Sequence, residues 1–157
     1  MALFTGTFRN KVDSKGRISV PADFRATLPV IAGERRPPIY VWRSFRHNAL
    51  EACDHQFMER LSAGSESLDM FSEAQDSLAS AIFADAQRLI HDDPGRIVLP
   101  ERMIEYANID GEAVFVGRGP YFQIWAPDAL EQHMEEARAK ARDQKLTAPL
   151  APSGDGS

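Results

Sequence analysis

Two arginines, each placed four residues after an aspartate, are the side chains of this sequence best suited to a specific chemistry. Asp13 precedes Arg17 across Ser-Lys-Gly, and Asp92 precedes Arg96 across Asp-Pro-Gly. A guanidinium can engage guanine O6 and N7 through two hydrogen bonds, the commonest specific contact between proteins and DNA bases. A nearby aspartate can orient the guanidinium or accept hydrogen bonds from turn amides. An arginine oriented in this way has the chemistry to read a DNA base.

Both motifs belong to a longer internal repeat. Residues 13–21 and 92–100 each read Asp-x-x-Gly-Arg, then three residues led by Ile, then Pro, 79 positions apart in a chain of 157 residues. Gly16 and Gly95 supply the backbone freedom that a tight turn needs. Because a repeat of this length indicates a duplicated structural unit, we predict a pseudo-symmetric domain with a matching loop in each half.

The two loops differ in charge. Lys15 is a point charge suited to phosphate, and alternation along a preceding strand puts Arg9 and Lys11 on one face. The second loop has Asp93 and Pro94 where the first has Ser and Lys, so it is more acidic and stiffer. For a contact with DNA the first loop is therefore better suited, and we expect the second to be mainly a structural copy. The residues predicted to bind DNA are Arg17, Lys15, Arg9, Lys11 and Arg96, with Asp13, Gly16, Asp92 and Gly95 shaping the loops.

A structural alternative stays open for both motifs. Asp-x-x-Gly-Arg could be a turn closed by an Asp–Arg pair that only shapes the fold. This alternative is stronger for Arg96 than for Arg17, because three further cations lie near Arg17 in the sequence. A net charge of −5 argues mildly against nucleic acid. The field around a binding site is local, however, and the cations cluster at the start of the chain.

The elements that position these loops follow from periodicity and from proline and glycine. The pattern predicts strands at residues 5–12, 18–20, 39–42, 84–91, 97–99, 113–116 and 121–125. It predicts helices at 22–28, from Leu50 to Leu61, from Ser67 to Ile82, at 100–106 and from Pro127 onward. Two halves, 1–83 and 84–145, would interlock into a closed barrel that removes exposed strand edges. Residues 146–157 have the composition of a disordered tail.

Composition narrows the possible classes of protein. No apolar run is long enough to span a bilayer, and the first residues lack the pattern of a signal peptide. Cys53 is the only cysteine, so neither an internal disulfide nor a cysteine-based zinc site can form. We expect a single cytoplasmic domain without a cofactor, a bound metal, a membrane segment or a small-molecule substrate.

Three rival functions can be weighed from the residues. Asp13 and Asp92 could form a carboxyl dyad that shares a proton, but neighbouring cations would keep Asp13 ionised, so we do not expect an enzyme. His47, Cys53 and His55 lie close in sequence, yet they are more typical of a helix entry than of a metal site. The third rival is an oligomeric protein-interaction module without DNA binding. Its support is a set of aromatics that exceeds what a small barrel must bury: Phe4, Trp42, Phe45, Tyr121, Phe122 and Trp125.

The constellation of motifs resembles the MraZ family of bacterial transcriptional regulators. The matching residues are Phe4-x-Gly6, Asn10, Asp13 to Arg17, Ser19-x-Pro21 and Arg25, with Asp92 to Arg96 at the position of the second motif. A single Asp-x-x-x-Arg would be a weak signal, whereas two copies at this separation, each followed by a strand and Pro, are specific. The resemblance covers roughly residues 3–140.

The resemblance implies a fold and a function. The fold would be mainly β with helices, a pseudo-two-fold double-psi β-barrel of the AbrB and SpoVT type built from two internal repeats. The protein would assemble into a homo-oligomeric ring of about eight or more subunits. It would bind direct repeats in double-stranded promoter DNA, repress the division and cell-wall gene cluster, and lie with the nucleoid.

Overall fold

The computed structural model describes residues 2–153. In this range the strands are β1 (Thr7–Lys11), β2 (Arg17–Ser19), β3 (Ile39–Arg43), β4 (Leu50–Cys53), β5 (Gln87–Leu89), β6 (Arg96–Val98), β7 (Glu112–Gly117) and β8 (Phe122–Trp125). The helices are α1 (Ala22–Thr27), α2 (His55–Ser65), α3 (Glu73–Leu78), α4 (Glu101–Tyr106) and α5 (Pro127–Asp143), and a π-helical turn (Ala79–Phe83) follows α3. The expected combination of strands with helices is confirmed.

The strands of the described residues pair in a symmetric order. Six form one antiparallel sheet, β1-β7-β8-β4-β3-β5, and β2 pairs with β6 in a separate two-stranded ribbon. Exchanging β1 with β5, β3 with β7 and β4 with β8 reverses the sheet order onto itself. A pseudo-two-fold axis therefore passes between β4 and β8, and between β2 and β6. The expected closed barrel is not found in this pairing, because nothing in the described range joins β1 to β5.

Equivalent residues of the two halves face each other on this axis. Ile18 lies opposite Ile97 in the ribbon, and both are buried. In the sheet, Glu51 lies opposite Gln123, whose Nε2 donates a hydrogen bond of 3.1 Å to Glu51 Oε2. Each has an arginine five residues before it: Arg46 lies 3.2 Å from Glu51, and Arg118 donates to Gln123 at 2.9 Å. The pairing of the buried carboxylate with an amide and a guanidinium offsets the cost of its burial.

An aromatic cluster forms the centre of the main core. Phe24 of α1 packs against Phe4, Phe8, Phe115 and Phe122, with ring centroids 5.0 to 6.2 Å apart. Edge-to-face and tilted contacts of this kind are favourable beyond the area that they bury. Because the cluster joins the first helix to β7 and β8, the two halves share a single core.

Prolines and an asparagine mark the ends of the two short helices that follow the loops. Pro21 and Pro100 occupy the N-terminal caps of α1 and α4, so each helix begins directly after the repeated motif. The helix α1 ends at Thr27, and Leu28 after it has extended backbone, because a residue before proline disfavours helical backbone. Asn108 follows α4 with φ of 53°, a left-handed conformation that often ends a helix.

The helix expected from Leu50 to Leu61 is wrong in its first part. Leu50–Cys53 is strand β4, which pairs with β3 on one side and β8 on the other. All four of its residues are buried, as in a central strand. The helix α2 begins at His55, where the carboxylate of Asp54 accepts a hydrogen bond of 2.7 Å from the amide of Phe57.

The start of the next helix and the extent of the strand after it also differ from the prediction. The helix predicted from Ser67 begins at Glu73, because Ser72 is the residue that caps it, with its hydroxyl 3.1 Å from the amide of Gln75. The π-helical turn extends to Phe83. The strand predicted at residues 84–91 is therefore shorter, and only Gln87–Leu89 form β5. Residues 146–153 contain neither helix nor strand, and the rest of the predicted tail, residues 154–157, lies outside the described residues. No helix in the described range is long and apolar enough to cross a membrane.

Candidate nucleic-acid interface

The two repeated loops have the same hydrogen-bonded backbone. In the first, the amide of Asp13 donates to the carbonyl of Arg17 (3.0 Å), and the amide of Gly16 donates back to Asp13 (3.0 Å). The second repeats both bonds, at 2.9 Å each, between Asp92, Arg96 and its glycine. Each aspartate also accepts from the amide of its arginine, at 2.9 and 2.7 Å. The motif thus specifies one loop geometry twice.

Each aspartate also holds its arginine side chain. The Nε of Arg17 donates to Asp13 at 2.6 Å, and the Nε of Arg96 donates to Asp92 at 3.0 Å. Hydrogen bonds from the arginine amides and then from the guanidinium groups lower the pKa of both carboxyls. Both arginine side chains are 37% exposed. The aspartates therefore remain ionised and orient two solvent-accessible guanidinium groups.

The ribbon brings the two arginines to one surface. Ile18 and Ile97 face the core, so alternation places their neighbours on the outer face. In that face Arg17 lies opposite Val98, and Arg96 lies opposite Ser19, which makes the arginines diagonal neighbours across the pseudo-two-fold axis. We call this surface, formed by Arg17, Ser19, Arg96 and Val98, the arginine face.

The neighbours of the two loops come from the opposite half of the chain. The first loop packs against the second half: a Cβ added at Gly16 would lie 2.7 Å from the carbonyl oxygen of Leu99 and 3.2 Å from Ile104 Cδ1. The second loop packs against the first half: a Cβ added at Gly95 would lie 2.5 Å from the guanidinium carbon of Arg25. Ile104 and Arg25 occupy equivalent positions, each four residues after the proline of its repeat. The two loops therefore differ here, because the first packs against an apolar side chain and the second against a cation.

The electrostatic surroundings of the two loops differ from the charges of the loops themselves. Lys15 opens onto a groove that is also lined by three acids of the second half: Glu101, Glu105 and Asp110. The second loop is bordered by Arg25, whose Nε donates to the carbonyl of Val20 (3.1 Å), and by Arg36, which forms an ion pair with Asp93. The loop that is basic in sequence thus has acidic neighbours, and the acidic loop has arginines around it.

Arg9 and Lys11 lie apart from the arginine face. They share one face of edge strand β1, where Arg9 forms an ion pair of 3.2 Å with Glu112. The intervening Asn10 faces the other way and donates to the carbonyl of Ser19 at 2.7 Å. Arg9 and Lys11 line a groove with Asp110, Glu112 and Asp128, next to the groove of Lys15. The structure therefore does not place them around Arg17 as the sequence suggested.

Sequence reasoning gave no role to Arg36 and treated Arg25 only as a residue that carries the resemblance. The signal for Arg25 was its position four residues after Pro21, which puts it on the first turns of a short helix. Arg36 lies between the predicted helix at 22–28 and the predicted strand at 39–42, and no residue near it in sequence indicates a contact with residues 91–93.

The rival catalytic and metal sites are dispersed in the structure. Asp13 and Asp92 each bind their own arginine, so they do not form a carboxyl pair. His47 packs against His133 with ring centroids 4.7 Å apart, and burial lowers the pKa of both, followed for His47 by the charge of His133. His55 contacts the hydroxyl of Tyr40 at 2.9 Å. In residues 2–153 no group of three or more His, Cys, Asp and Glu is arranged to hold a metal ion.

Most of the aromatic side chains that suggested an interaction module are buried within the chain itself. Phe4, Trp42, Phe122 and Trp125 are at most 4% exposed, whereas Phe45 is 61% exposed. A second exposed apolar site lies between α2 and α3, where Met70 is 73% and Phe71 is 92% exposed. The apolar surface available to a partner therefore lies mainly outside the aromatic set singled out in the sequence.

Comparison with known proteins places the chain in a family. The profile of the family described as "MraZ protein, putative antitoxin-like" matches residues 82–149, the second half with its loop. Transcriptional regulator MraZ of Rickettsia akari is 37% identical over 147 residues, which cover 94% of this chain and 97% of that protein. Transcriptional regulator MraZ of Gluconacetobacter diazotrophicus is 38% identical over 148 residues, 94% of each chain. Because these identities extend over both halves, the chain belongs to the MraZ family.

Proposed function

We propose that this chain is a transcriptional regulator that binds double-stranded DNA through the arginine face. The observation that carries the proposal is the placement of Arg17 and Arg96 on one exposed surface, each oriented by an ionised aspartate. Relatives over nearly the full length of the chain are named transcriptional regulators. The carboxyl dyad considered as an enzymatic alternative receives no support, because Asp13 and Asp92 are each paired with their own arginine rather than with each other.

The pairing with aspartate suits arginine for reading bases. A free arginine loses side-chain entropy when it binds, and a side chain already held in place loses less. The aspartate engages the Nε side of the guanidinium, so the remaining N–H groups can be directed to guanine O6 and N7. Because aspartate itself repels phosphate, it would lie behind the arginine and away from the DNA backbone.

Phosphate contacts would come from cations at the border of the arginine face. Lys15 is exposed on the first loop, and Arg25 lies over the second. Arg9 and Lys11 would be secondary contacts, since they occupy the neighbouring groove. Cations near the DNA backbone supply most of the sequence-independent affinity through release of counterions. A local surface of this kind can bind DNA although the whole chain carries a net charge of −5.

The resemblance to the MraZ family suggests further features of the fold, the assembly and the biological role. We propose a double-psi barrel made from the sheet and the ribbon together, supported by their shared core and their common pseudo-two-fold axis. We also propose a ring of subunits in which several arginine faces engage direct repeats of promoter DNA. Linking many weak contacts raises affinity through effective concentration without new contacts. The expected biological role is repression of the division and cell-wall gene cluster at the nucleoid.

A binding assay with matched DNA tests the proposal. The probe is the duplex directly upstream of this chain's own start codon, and the reference is a shuffled duplex of equal composition. We expect the wild type to prefer the upstream duplex, and Arg17→Ala to lose that preference while its oligomeric state stays the same. The control is Arg138→Ala, which removes a positive charge from the exposed side of α5 and should change neither property.

Salt dependence gives an independent readout. Affinity for the upstream duplex should fall steeply as salt rises, with a slope of log affinity against log salt close to about −0.9 per neutralised phosphate. A wild-type protein that does not distinguish the two duplexes, or an affinity that does not change with salt, would contradict the proposal.

Exposed apolar residues favour self-association as the second candidate function. Met70 and Phe71 form an apolar site on the connection between α2 and α3. An oligomer that shows no preference for the upstream duplex would support an interaction module without DNA binding. Sedimentation of Phe71→Ser beside the wild type would show whether this site contributes to assembly.

A further inference from the structure

The connection between α1 and β3 reaches the second loop and contacts it through Arg36. We call this segment, residues 29–38, the strap. Arg36 donates through Nη1 to the carbonyl of His91 at 2.8 Å and forms an ion pair with Asp93. Glu34 of the same strap forms an ion pair with Arg88 of β5. The equivalent connection in the second half, between α4 and β7, is only a few residues long, so the first loop has no strap.

Asp93 presents a problem for any anionic ligand of the arginine face. Its side chain is 80% exposed, and it lies three residues before Arg96. An uncompensated carboxylate so close to the binding surface would repel phosphate. Arg36 is only 22% exposed and places its charge against this carboxylate. The strap therefore neutralises an acid that the second loop has and the first loop lacks.

We propose that Arg36 is a positioning residue for DNA binding: it neutralises Asp93 and thereby allows the second loop to approach the phosphate backbone. This inference rests on the proposed function, since it assigns a role in DNA binding at the same site. Arg36 acts through Asp93 and does not itself contact bases. Because Asp93 is 80% exposed, its ion pair with Arg36 is screened by solvent and contributes little to stability, so the effect on DNA affinity should be larger than the effect on folding.

Two single variants separate this role from a structural one. Arg36→Ala and Asp93→Asn both break the same ion pair. If the pair only held the strap in place, both variants would weaken DNA binding. If Arg36 neutralises Asp93, the variants act in opposite directions: Arg36→Ala exposes a repulsive charge, and Asp93→Asn removes it. The sign of the second effect is a readout that a structural role does not predict.

The experiment measures affinity for the upstream duplex by fluorescence anisotropy at low salt, with the full chain. We expect Arg36→Ala to weaken binding about tenfold and Asp93→Asn to leave binding unchanged or make it tighter. In the double variant, loss of Arg36 should change affinity by less than about twofold, because the charge that it masks is gone. Arg35→Ala is the matched control, because it removes the same charge from the adjacent, exposed position of the strap.

The outcomes keep the two proposals distinguishable. A wild type that does not prefer the upstream duplex overturns the proposed function itself. If the wild type binds but Arg36→Ala has no effect, or weakens binding equally with and without Asp93→Asn, the role of Arg36 is overturned and the proposed function stands. Thermal unfolding of each variant, expected within a few degrees of the wild type, confirms that every comparison is made on folded protein.

Discussion

The first and second loops share one backbone and differ in their neighbours. Both use an aspartate to orient an arginine, and both arginines are equally exposed. The first loop, basic in sequence, lies beside Glu101 and Glu105, whereas the second, acidic in sequence, lies beside Arg25 and Arg36. The charge of a loop's own residues is therefore a poor guide to the field in which it works.

Interlocking of the halves explains this reversal. The amide of Leu99 donates to Gly16 and the amide of Val20 donates to Gly95, both at 2.9 Å, so each loop is joined to the strand end of the opposite half. The helix that follows that strand then packs over the loop. A loop and its electrostatic neighbours are thus tens of residues apart in sequence, where local charge patterns cannot connect them.

The largest expected difference between the loops concerns stability. Gly16→Ala would set a Cβ against a backbone carbonyl at a φ of +81°, and backbone cannot move aside easily. We expect a cost of about 3 kcal/mol. Gly95→Ala meets the end of a flexible arginine, so its cost should be about 1–2 kcal/mol, mainly from the positive φ.

Urea unfolding at one protein concentration would measure these costs. Gly64→Ala provides the control: this glycine lies within α2 with open space around it, so alanine should stabilise the chain slightly. Equal costs at Gly16 and Gly95 would show that the packing around the two loops does not differ as described.

The next effect concerns DNA affinity and tests whether the loops are equivalent. Because Arg17 and Arg96 are related by the pseudo-two-fold axis, we expect Arg17→Ala and Arg96→Ala each to weaken binding of the upstream duplex by about thirtyfold. Anisotropy titrations of both variants at one salt concentration give the comparison. An Arg96→Ala variant that binds like the wild type would support the division predicted from the sequence, with the first loop as the main DNA contact.

A smaller effect, of opposite sign, is expected from the acids beside the first loop. Glu101→Gln and Glu105→Gln each remove a negative charge from the groove of Lys15. Each should tighten DNA binding by about twofold to threefold at low salt, with less effect as salt rises. Glu135→Gln, on the exposed side of α5, is the control. If the two variants and the control behaved alike, the groove would not lie near the DNA.

The smallest effect is on acid stability, where the loops should behave alike. The folded-state pKa of Asp13 and of Asp92 is lowered, chiefly by the amides of Arg17 and Arg96. The stabilisation is therefore fully present above the ordinary aspartate value of 3.8 and is lost as pH falls through the lowered folded-state value. Unfolding of Asp13→Asn and Asp92→Asn between pH 5 and 2 should show an equally weakened pH dependence. A change in only one variant would reveal different roles for the two carboxylates.

Local patterns predicted much of the fold. The two turns, the short helices after Pro21 and Pro100, and strand β7 lie where alternation and proline put them. These features depend on neighbours in sequence. The strand β4 was missed because Leu50–Cys53 is buried on both faces and includes the charged Glu51, so its residues do not show the alternation of a half-buried strand.

The candidate site was predictable only in its local part. The aspartate–arginine geometry follows from one short motif, and both loops adopt it. Arg25 and Arg36 could not be placed from the sequence, because their contacts with Gly95 and Asp93 arise from the crossing of the two halves. Arg9 and Lys11 show the opposite error: they are near Arg17 in sequence and yet face a different groove.

The polar pair on the axis of the sheet is unsymmetrical, with Glu51 in one half and Gln123 in the other. A symmetric pair of identical half-length chains would set each axis residue against its own copy, as Ile18 lies against Ile97 here. Two buried carboxylates cannot both stay ionised in contact, whereas two amides can bond to each other. Gln123→Glu should therefore lower the thermal stability at neutral pH more than Glu51→Gln does. Joining the two halves in one chain therefore permits an unlike polar pair on the axis, which two identical chains could not form there.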